Sequence, residues 1–218
     1  MEINFQHKKT FRYQILNDSP QAKTVLYVLH GYGQLVKFFI RKFQSVDSSI
    51  LIVAPEGMHR FYLKGNYGRV GASWMTKEAR ETDIMDNLSY LNSLDEQISK
   101  QYPIEKRILL GFSQGGATAA RWKMNQSVHF DATIIWGSDF PLDSKNAEYL
   151  KKEENNYFVI GDNDEFFDAE KRHLLTEQFL SLGFKTTAYQ GGHDIDAKTL
   201  NDLLKEIQNS KPFGTVSD

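Results

Sequence analysis

The chain predicts an α/β fold, an open, mostly parallel, doubly wound sheet with helices on both faces. Two patterns and one bulk property predict it. Short apolar runs recur without polar alternation, as in strands buried on both faces. The gaps between most of them are long enough for a helix, and several carry helical periodicity. At 218 residues and 40% apolar composition, the chain suits one well-buried core, so residues 1–218 are expected to form a single domain.

Residues 10–16 read as an antiparallel edge strand, turned by Asn17-Asp18-Ser19-Pro20 into the first buried strand, Val25-Leu26-Tyr27-Val28-Leu29. The second is Ile50-Leu51-Ile52-Val53-Ala54. Residues 56–74 are rich in Gly, Tyr, Arg and Asn without a clean period, which predicts a long excursion over the carboxyl edge of the sheet. A helix follows over 77–99, where Ile84, Leu88, Leu91, Leu94 and Ile98 form an apolar stripe. Further strands are read at Ile108-Leu109-Leu110, Ala132-Thr133-Ile134-Ile135-Trp136, Tyr157-Phe158-Val159-Ile160 and 185–189. Helices are expected over 117–124, 167–182 and 197–208, the second closed by Gly183. The tail 211–218 is expected to fray. No internal repeat, low-complexity tract or linker interrupts the series.

Charge excludes some partners. Lys plus Arg number 26 against 28 Asp plus Glu, a net charge of -2, so no long-range field favours nucleic acid. Lys8-Lys9 and Lys151-Lys152-Glu153-Glu154 read as solvated surface. There is no cysteine, which removes disulfides, thiolate metal sites and a thiol nucleophile, and suits a reducing, cytoplasmic setting. Residues 1–10 are polar and charged, so no secretory signal is expected. No apolar run approaches the roughly 20 residues of a membrane span, and a soluble protein is expected.

Chemistry concentrates at Gly111-Phe112-Ser113-Gln114-Gly115. An apolar strand precedes it and a helix rich in small residues follows, the strand, sharp turn and helix of a nucleophile elbow. A serine nucleophile needs a base, a group to orient that base, and donors for the oxyanion. His193 in Gly191-Gly192-His193-Asp194 follows a predicted strand and supplies the base. The loop Gly161-Asp162-Asn163-Asp164 supplies the orienting acid. Asp164 is preferred, since Asp162 sits where its side chain can cap the turn. For the oxyanion hole, Leu29-His30-Gly31-Tyr32-Gly33 ends the first buried strand, with the amides of Tyr32 and Gln114 as donors and the Tyr32 phenol as a further candidate. His30, just inside the strand end, reads as a buried ring bonded to loop backbone.

These segments resemble the alpha/beta-hydrolase superfamily. The Gly-Phe-Ser-Gln-Gly-Gly elbow, the Gly-Asp-x-Asp acid loop and the short length without a large lid domain are similar to the small phospholipase/carboxylesterase family, which includes acyl-protein thioesterases. The resemblance spans residues 25–208. It implies hydrolysis of carboxylic esters or thioesters without cofactor or metal, with the second aspartate of the acid loop, Asp164, completing the triad. Two stretches depart from the family pattern, Glu165-Phe166-Phe167 after the acid and Tyr32-Gly33-Gln34 after the first strand.

The expected activity is serine carboxylesterase on a small-molecule ester. Ser113 attacks the carbonyl, His193 moves the proton, and Asp164 holds the imidazolium. Among aromatics near the loop ends, Trp74 and Phe166 are expected to line the substrate pocket, because neither lies in a periodic segment. Arg60, Tyr62, Asn66 and Arg69 give the excursion a basic, polar character that fits an anionic or sugar-bearing substrate. Acyl-protein thioesterase or lysophospholipase action, acyl transfer by the same triad, a peptidase and a non-catalytic binding role are the alternatives. Oligomeric state is left open.

Overall fold

The computed structural model describes residues 1, 3–141 and 155–209. The tail expected to fray and the 151–154 charge cluster lie outside them. The elements run β1 (Tyr13–Leu16), β2 (Thr24–Leu29), α1 (Val36–Phe39) continued by a 3₁₀ turn (Ile40–Phe43), β3 (Ile50–Pro55), β4 (His59–Tyr62), β5 (Val70–Ser73) and α2 (Arg80–Gln101). They continue with β6 (Lys106–Phe112), α3 (Gln114–Asn125), β7 (Ala132–Trp136), β8 (Asn156–Gly161), α4 (Ala169–Ser181), β9 (Lys185–Tyr189) and α5 (Ala197–Asn209).

Among the described residues the main sheet has seven strands in the order β1-β3-β2-β6-β7-β8-β9. All neighbours are parallel except β1, which runs antiparallel along β3. The turn after β1 therefore does not close a hairpin onto β2, as the sequence suggested. Successive side chains of a strand point to opposite faces. Val25, Tyr27 and Leu29 of β2 accordingly join a core with α2, α3 and α4, while Leu26 and Val28 join a second core with α1 and α5. One strand thus feeds two apolar layers, which is why its residues read as an uninterrupted run.

α2 corrects the expected stripe. Leu91, Leu94 and Ile98 are buried, but Ile84 and Leu88 are only half-buried, and Asp83, Asn87 and Asp95 occupy the inward face. Most of these polar groups have partners: the Asn87 amide donates to the Trp74 carbonyl at 2.7 Å, although its Oδ1 has none among the described residues, and Asp95 accepts from the Tyr27 hydroxyl at 2.8 Å and Arg107 Nε at 2.9 Å. Hydrogen bonding on this face offsets the cost of burying the polar groups.

The 56–74 excursion also differs from expectation. β4 and β5 form an antiparallel hairpin, His59 opposite Ser73, with its tip at 63–69. Two further bonds fasten it to the loop after β2: Gly33 N–H donates to the Ala72 carbonyl at 2.8 Å, and Ala72 N–H to the Gln34 carbonyl at 3.1 Å. A Cβ on Gly71 would lie 2.3 Å from the Gly33 carbonyl oxygen, so only glycine permits this approach.

The sheet order reverses at β2. The chain leaves β2 toward α1 in one core and leaves β6 toward α3 in the other. Ligands of open α/β sheets bind outside the carboxyl ends of strands at such a switch point. Leu29 pairs with Gly111, so both strands end at one level and the 30–34 loop faces the elbow.

Candidate active site

Ser113 sits between the last residue of β6 and the first of α3 with φ 54° and ψ -123°. This is a left-handed conformation for a residue that is not glycine, at a cost of order 1–3 kcal/mol. Backbone contacts hold it there: Ser113 N–H donates to the Trp136 carbonyl at 2.9 Å, and its own carbonyl accepts from Gly116 N–H at 2.8 Å. A Cβ on Gly115 would lie 2.3 Å from the Leu29 carbonyl oxygen, so α3 starts pressed against the end of β2. A Cβ on Gly31 would lie 3.1 Å from the Ser113 Cβ, which fixes how closely the 30–34 loop passes the serine.

His193 follows β9 and Asp164 follows β8. Asp164 Oδ2 accepts from His193 Nδ1 at 2.7 Å, with the two side chains 1% and 9% exposed respectively. That bond places the imidazole proton on Nδ1 and leaves Nε2 as the basic nitrogen. The other Asp164 oxygen accepts from Phe166 N–H at 2.9 Å. Asp162 is exposed and, instead of capping its own turn, accepts from Gly191 N–H at 2.9 Å on the loop that carries His193. The imidazole lies against the ring of Phe112, the residue before Ser113, at 4.7 Å between centroids. A Cβ on Gly137, just past β7, would come within 3.2 Å of it. Serine, histidine and aspartate thus leave adjacent or near strands and gather at one edge.

The loop after β2 commits its amides one by one. Gly31 N–H donates to Gln34 Oε1 at 2.9 Å, Gly33 N–H to Ala72, and Gln34 N–H to the Gly31 carbonyl at 3.2 Å. Among the described residues that leaves the Tyr32 amide without an acceptor. The Gln114 amide opens α3 and has no acceptor within the helix. These are the two amides expected for the oxyanion. The Tyr32 ring is exposed and leans on Phe61 of the hairpin, 5.1 Å between centroids.

His30 is fully buried between two backbone groups. Its Nδ1 donates to the Gly31 carbonyl at 2.8 Å and its Nε2 accepts from Gly57 N–H at 2.9 Å, so the neutral ring is satisfied at both nitrogens. Burial pushes its pKa down to about 4, which outweighs the opposite pull of the Gly31 bond and the Glu56 charge.

Trp74 is fully buried instead of lining an open pocket. Its indole N–H donates to the His30 carbonyl at 2.8 Å, so it props the loop from beneath. Phe166, by contrast, is 70% exposed with its ring 4.5 Å from the imidazole, where a substrate wall is expected.

Two side-chain contributors were not read from the sequence. The Gln114 side chain accepts from Trp74 N–H at 3.0 Å and donates to the Met75 carbonyl at 2.8 Å, tying the elbow to the end of the hairpin. Glu165 accepts from His193 N–H at 3.0 Å and anchors the backbone of the base. Its own proximity in sequence to Asp164 is the only hint. Among the described residues no cluster of side chains suits a metal, and no helix is long and apolar enough to cross a membrane.

Comparison with known proteins adds the family. The chain is 24% identical over 215 residues to acyl-protein thioesterase 1 homolog 2 of Dictyostelium discoideum, covering 90% of this chain and 94% of that one. It is 26% identical over 121 residues, 56% of its length, to a 1-acylglycerol-3-phosphate O-acyltransferase of Arabidopsis thaliana. The matched stretch spans only 26% of that protein, and 30% of a relative from Oryza sativa subsp. japonica. In fold it is similar to a carboxylesterase from Mesorhizobium loti, with a TM-score of 0.71 at 17% identity over 89% of this chain and 94% of that one. The family described as Phospholipase/Carboxylesterase matches residues 12–211, nearly the whole alpha/beta-hydrolase fold laid out above, and the chain belongs to it.

Proposed function

We propose that this chain, a hydrolase of the esterase or thioesterase kind by family, cleaves carboxylic esters through an acyl-enzyme on Ser113. The observation that carries the reading is the buried 2.7 Å bond between His193 and Asp164 beside a serine held at φ 54°. In this reading Ser113 Oγ attacks the carbonyl carbon and His193 Nε2 takes its proton. The amides of Tyr32 and Gln114 receive the negative charge that develops on the carbonyl oxygen. The imidazolium then protonates the departing alcohol, and water enters by the same route in reverse. Asp164 stabilises the imidazolium without taking the proton. Phe112 packs against the imidazole at 4.7 Å between centroids.

A fluorophosphonate probe tests the nucleophile. The expected adduct maps to the peptide bearing Ser113, and Ser113→Ala loses both the adduct and p-nitrophenyl butyrate turnover by at least about a thousandfold. Labelling elsewhere, or turnover retained in the alanine variant, overturns the assignment. The Dictyostelium relative favours a second reading, thioester cleavage by the same residues. Matched oxo- and thioesters of one acyl chain rank the two by kcat/KM.

A further inference from the structure

Beside the 30–34 loop lies a cleft of about 870 Å³, walled by that loop, by α1 with its 3₁₀ turn, and by the hairpin tip. Lys37, Arg41, Lys42 and Arg69 line it, and no acidic residue does. Lys42 is already engaged, bonded to Asp194 next to the base. Lys37, Arg41 and Arg69 have no carboxylate partner among the described residues. Arg60, the other arginine of the hairpin, is committed elsewhere, its Nε 2.6 Å from the buried Glu56 carboxylate. In a chain of net charge -2, an uncompensated trio in one concave place is not a by-product of overall basicity.

Geometry holds part of the trio in position. Lys37 Nζ and the Arg41 guanidinium lie 4.8 and 5.3 Å from the centroid of the Phe38 ring, a cation–π arrangement that orients both charges. Arg69 approaches from the hairpin tip on the other wall. Gly33 and Gln34 belong to both the cleft and the proposed oxyanion loop, and Gln34 Oε1 accepts from Gly31, where an added Cβ would lie 3.1 Å from the Ser113 Cβ. The cleft therefore adjoins the proposed oxyanion loop, while Ser113 and His193 themselves stand outside its lining. The three side chains are exposed at the cleft, where their charges add on whatever enters, and guanidinium groups suit the paired oxygens of carboxylate and phosphate.

We infer that this cleft is an anion subsite, and that the preferred esters carry a carboxylate or phosphate that Lys37, Arg41 and Arg69 receive while Ser113 attacks the ester carbonyl. The inference rests on the serine-hydrolase reading of the preceding section. It needs no new chemistry, since the anion remains unchanged through the reaction.

Two matched pairs of esters test it. One pair is p-nitrophenyl butyrate and the p-nitrophenyl half-ester of succinate. The other is monobutyrylglycerol and its phosphate monoester. Wild type is expected to favour the anionic partner in at least one pair, which also tells carboxylate from phosphate. The anionic-to-neutral ratio of kcat/KM should fall about tenfold in Arg41→Ala and in Arg69→Ala, and further in the double variant. Arg69→Lys should retain more of the ratio than Arg69→Ala, and 0.5 M NaCl should lower it in wild type. A wild-type ratio at or below one in both pairs, or a ratio that the alanine variants leave intact, overturns the inference while Ser113-dependent cleavage of the neutral esters upholds the hydrolase reading. Failure to cleave any of the four overturns both.

Discussion

The elbow and the rim of the same site are built in opposite ways. Around Ser113 the constraints are mainly backbone: Trp136 and Gly116 bond its peptide groups, and Gly115 admits the Leu29 carbonyl at a distance no Cβ tolerates. Around the cleft and at Phe166 the contributors are side chains on exposed supports, Arg69 at a hairpin tip and Phe166 at 70% exposure. In the proposed reading the first region fixes what reaction is done. The second would then decide on what, and its exposed side chains could be altered without disturbing the first. Such a division lets one fold serve many substrates.

Substitutions can break this contrast, and the largest effects belong to the elbow side. Asp164→Asn should lower kcat by about ten-thousandfold, close to 5.5 kcal/mol of barrier, with little change in KM. An amide that donates to Nδ1 forces the proton onto Nε2, the wrong tautomer for a base. Steady-state kinetics on p-nitrophenyl butyrate reads this, and a loss under tenfold would show that His193 does not depend on Asp164. Gly115→Ala comes next. Its methyl would meet the Leu29 carbonyl oxygen at 2.3 Å, a backbone atom of a central strand that cannot step aside. Urea unfolding should report a loss of about 3 kcal/mol or more. A stable, active Gly115→Ala protein would mean that the elbow is not set by backbone packing.

The same contrast governs what the sequence made legible. β2, β3, β6, β7 and β8 are buried on both faces, so their runs were plain to read. Ser113, Asp164 and His193 stand in glycine-marked turns just past strands, and the need for those turns wrote itself into the letters. The hairpin was missed because β4 and β5 have four residues each, and β5 holds Gly71, which serves the contact with Gly33 and weakens any strand pattern. Trp74 was misplaced for a related reason. An aperiodic stretch suggested an open loop, whereas the residue lies just past β5, packed into the core. Along α2 the true inward face was masked because three of its positions are Asp83, Asn87 and Asp95, whose partners lie on other segments. The side-chain bonds of Gln114 had no signal at all, since its partners are about 40 residues away.

His30 gives an intermediate effect and a pH dependence. Its folded pKa of about 4 lies below the ordinary value of 6.5, so the unfolded chain takes up a proton that the folded one refuses. The contribution to stability is complete above pH 6.5 and is lost as pH falls toward 4, by about 3 kcal/mol. Urea midpoints measured between pH 7 and 4 should therefore drop more steeply in wild type than in His30→Asn, although the variant is less stable at pH 7. Equal slopes would show that the ring between Gly31 and Gly57 titrates freely. A buried histidine beside the active serine would then be a candidate for proton transfer, and the separation of scaffold from chemistry would weaken.

The smallest expected effect is at the rim. Phe166→Ala removes a ring that is mostly solvent-exposed, so its loss should change stability by about 0.5 kcal/mol or less. The ring nevertheless covers one face of the imidazole at 4.5 Å, and an acyl chain seated there would gain apolar contact of about 0.8 kcal/mol per methylene buried. Activity on p-nitrophenyl acetate should fall less than threefold, because an acetyl group is too short to reach the ring. On longer acyl chains the loss should grow with each added methylene until the chain outruns the wall. A uniform loss across chain lengths would mean that Phe166 acts on His193 itself, by holding the ring or excluding water, and would move this residue from the substrate-selecting rim into the machinery of the elbow.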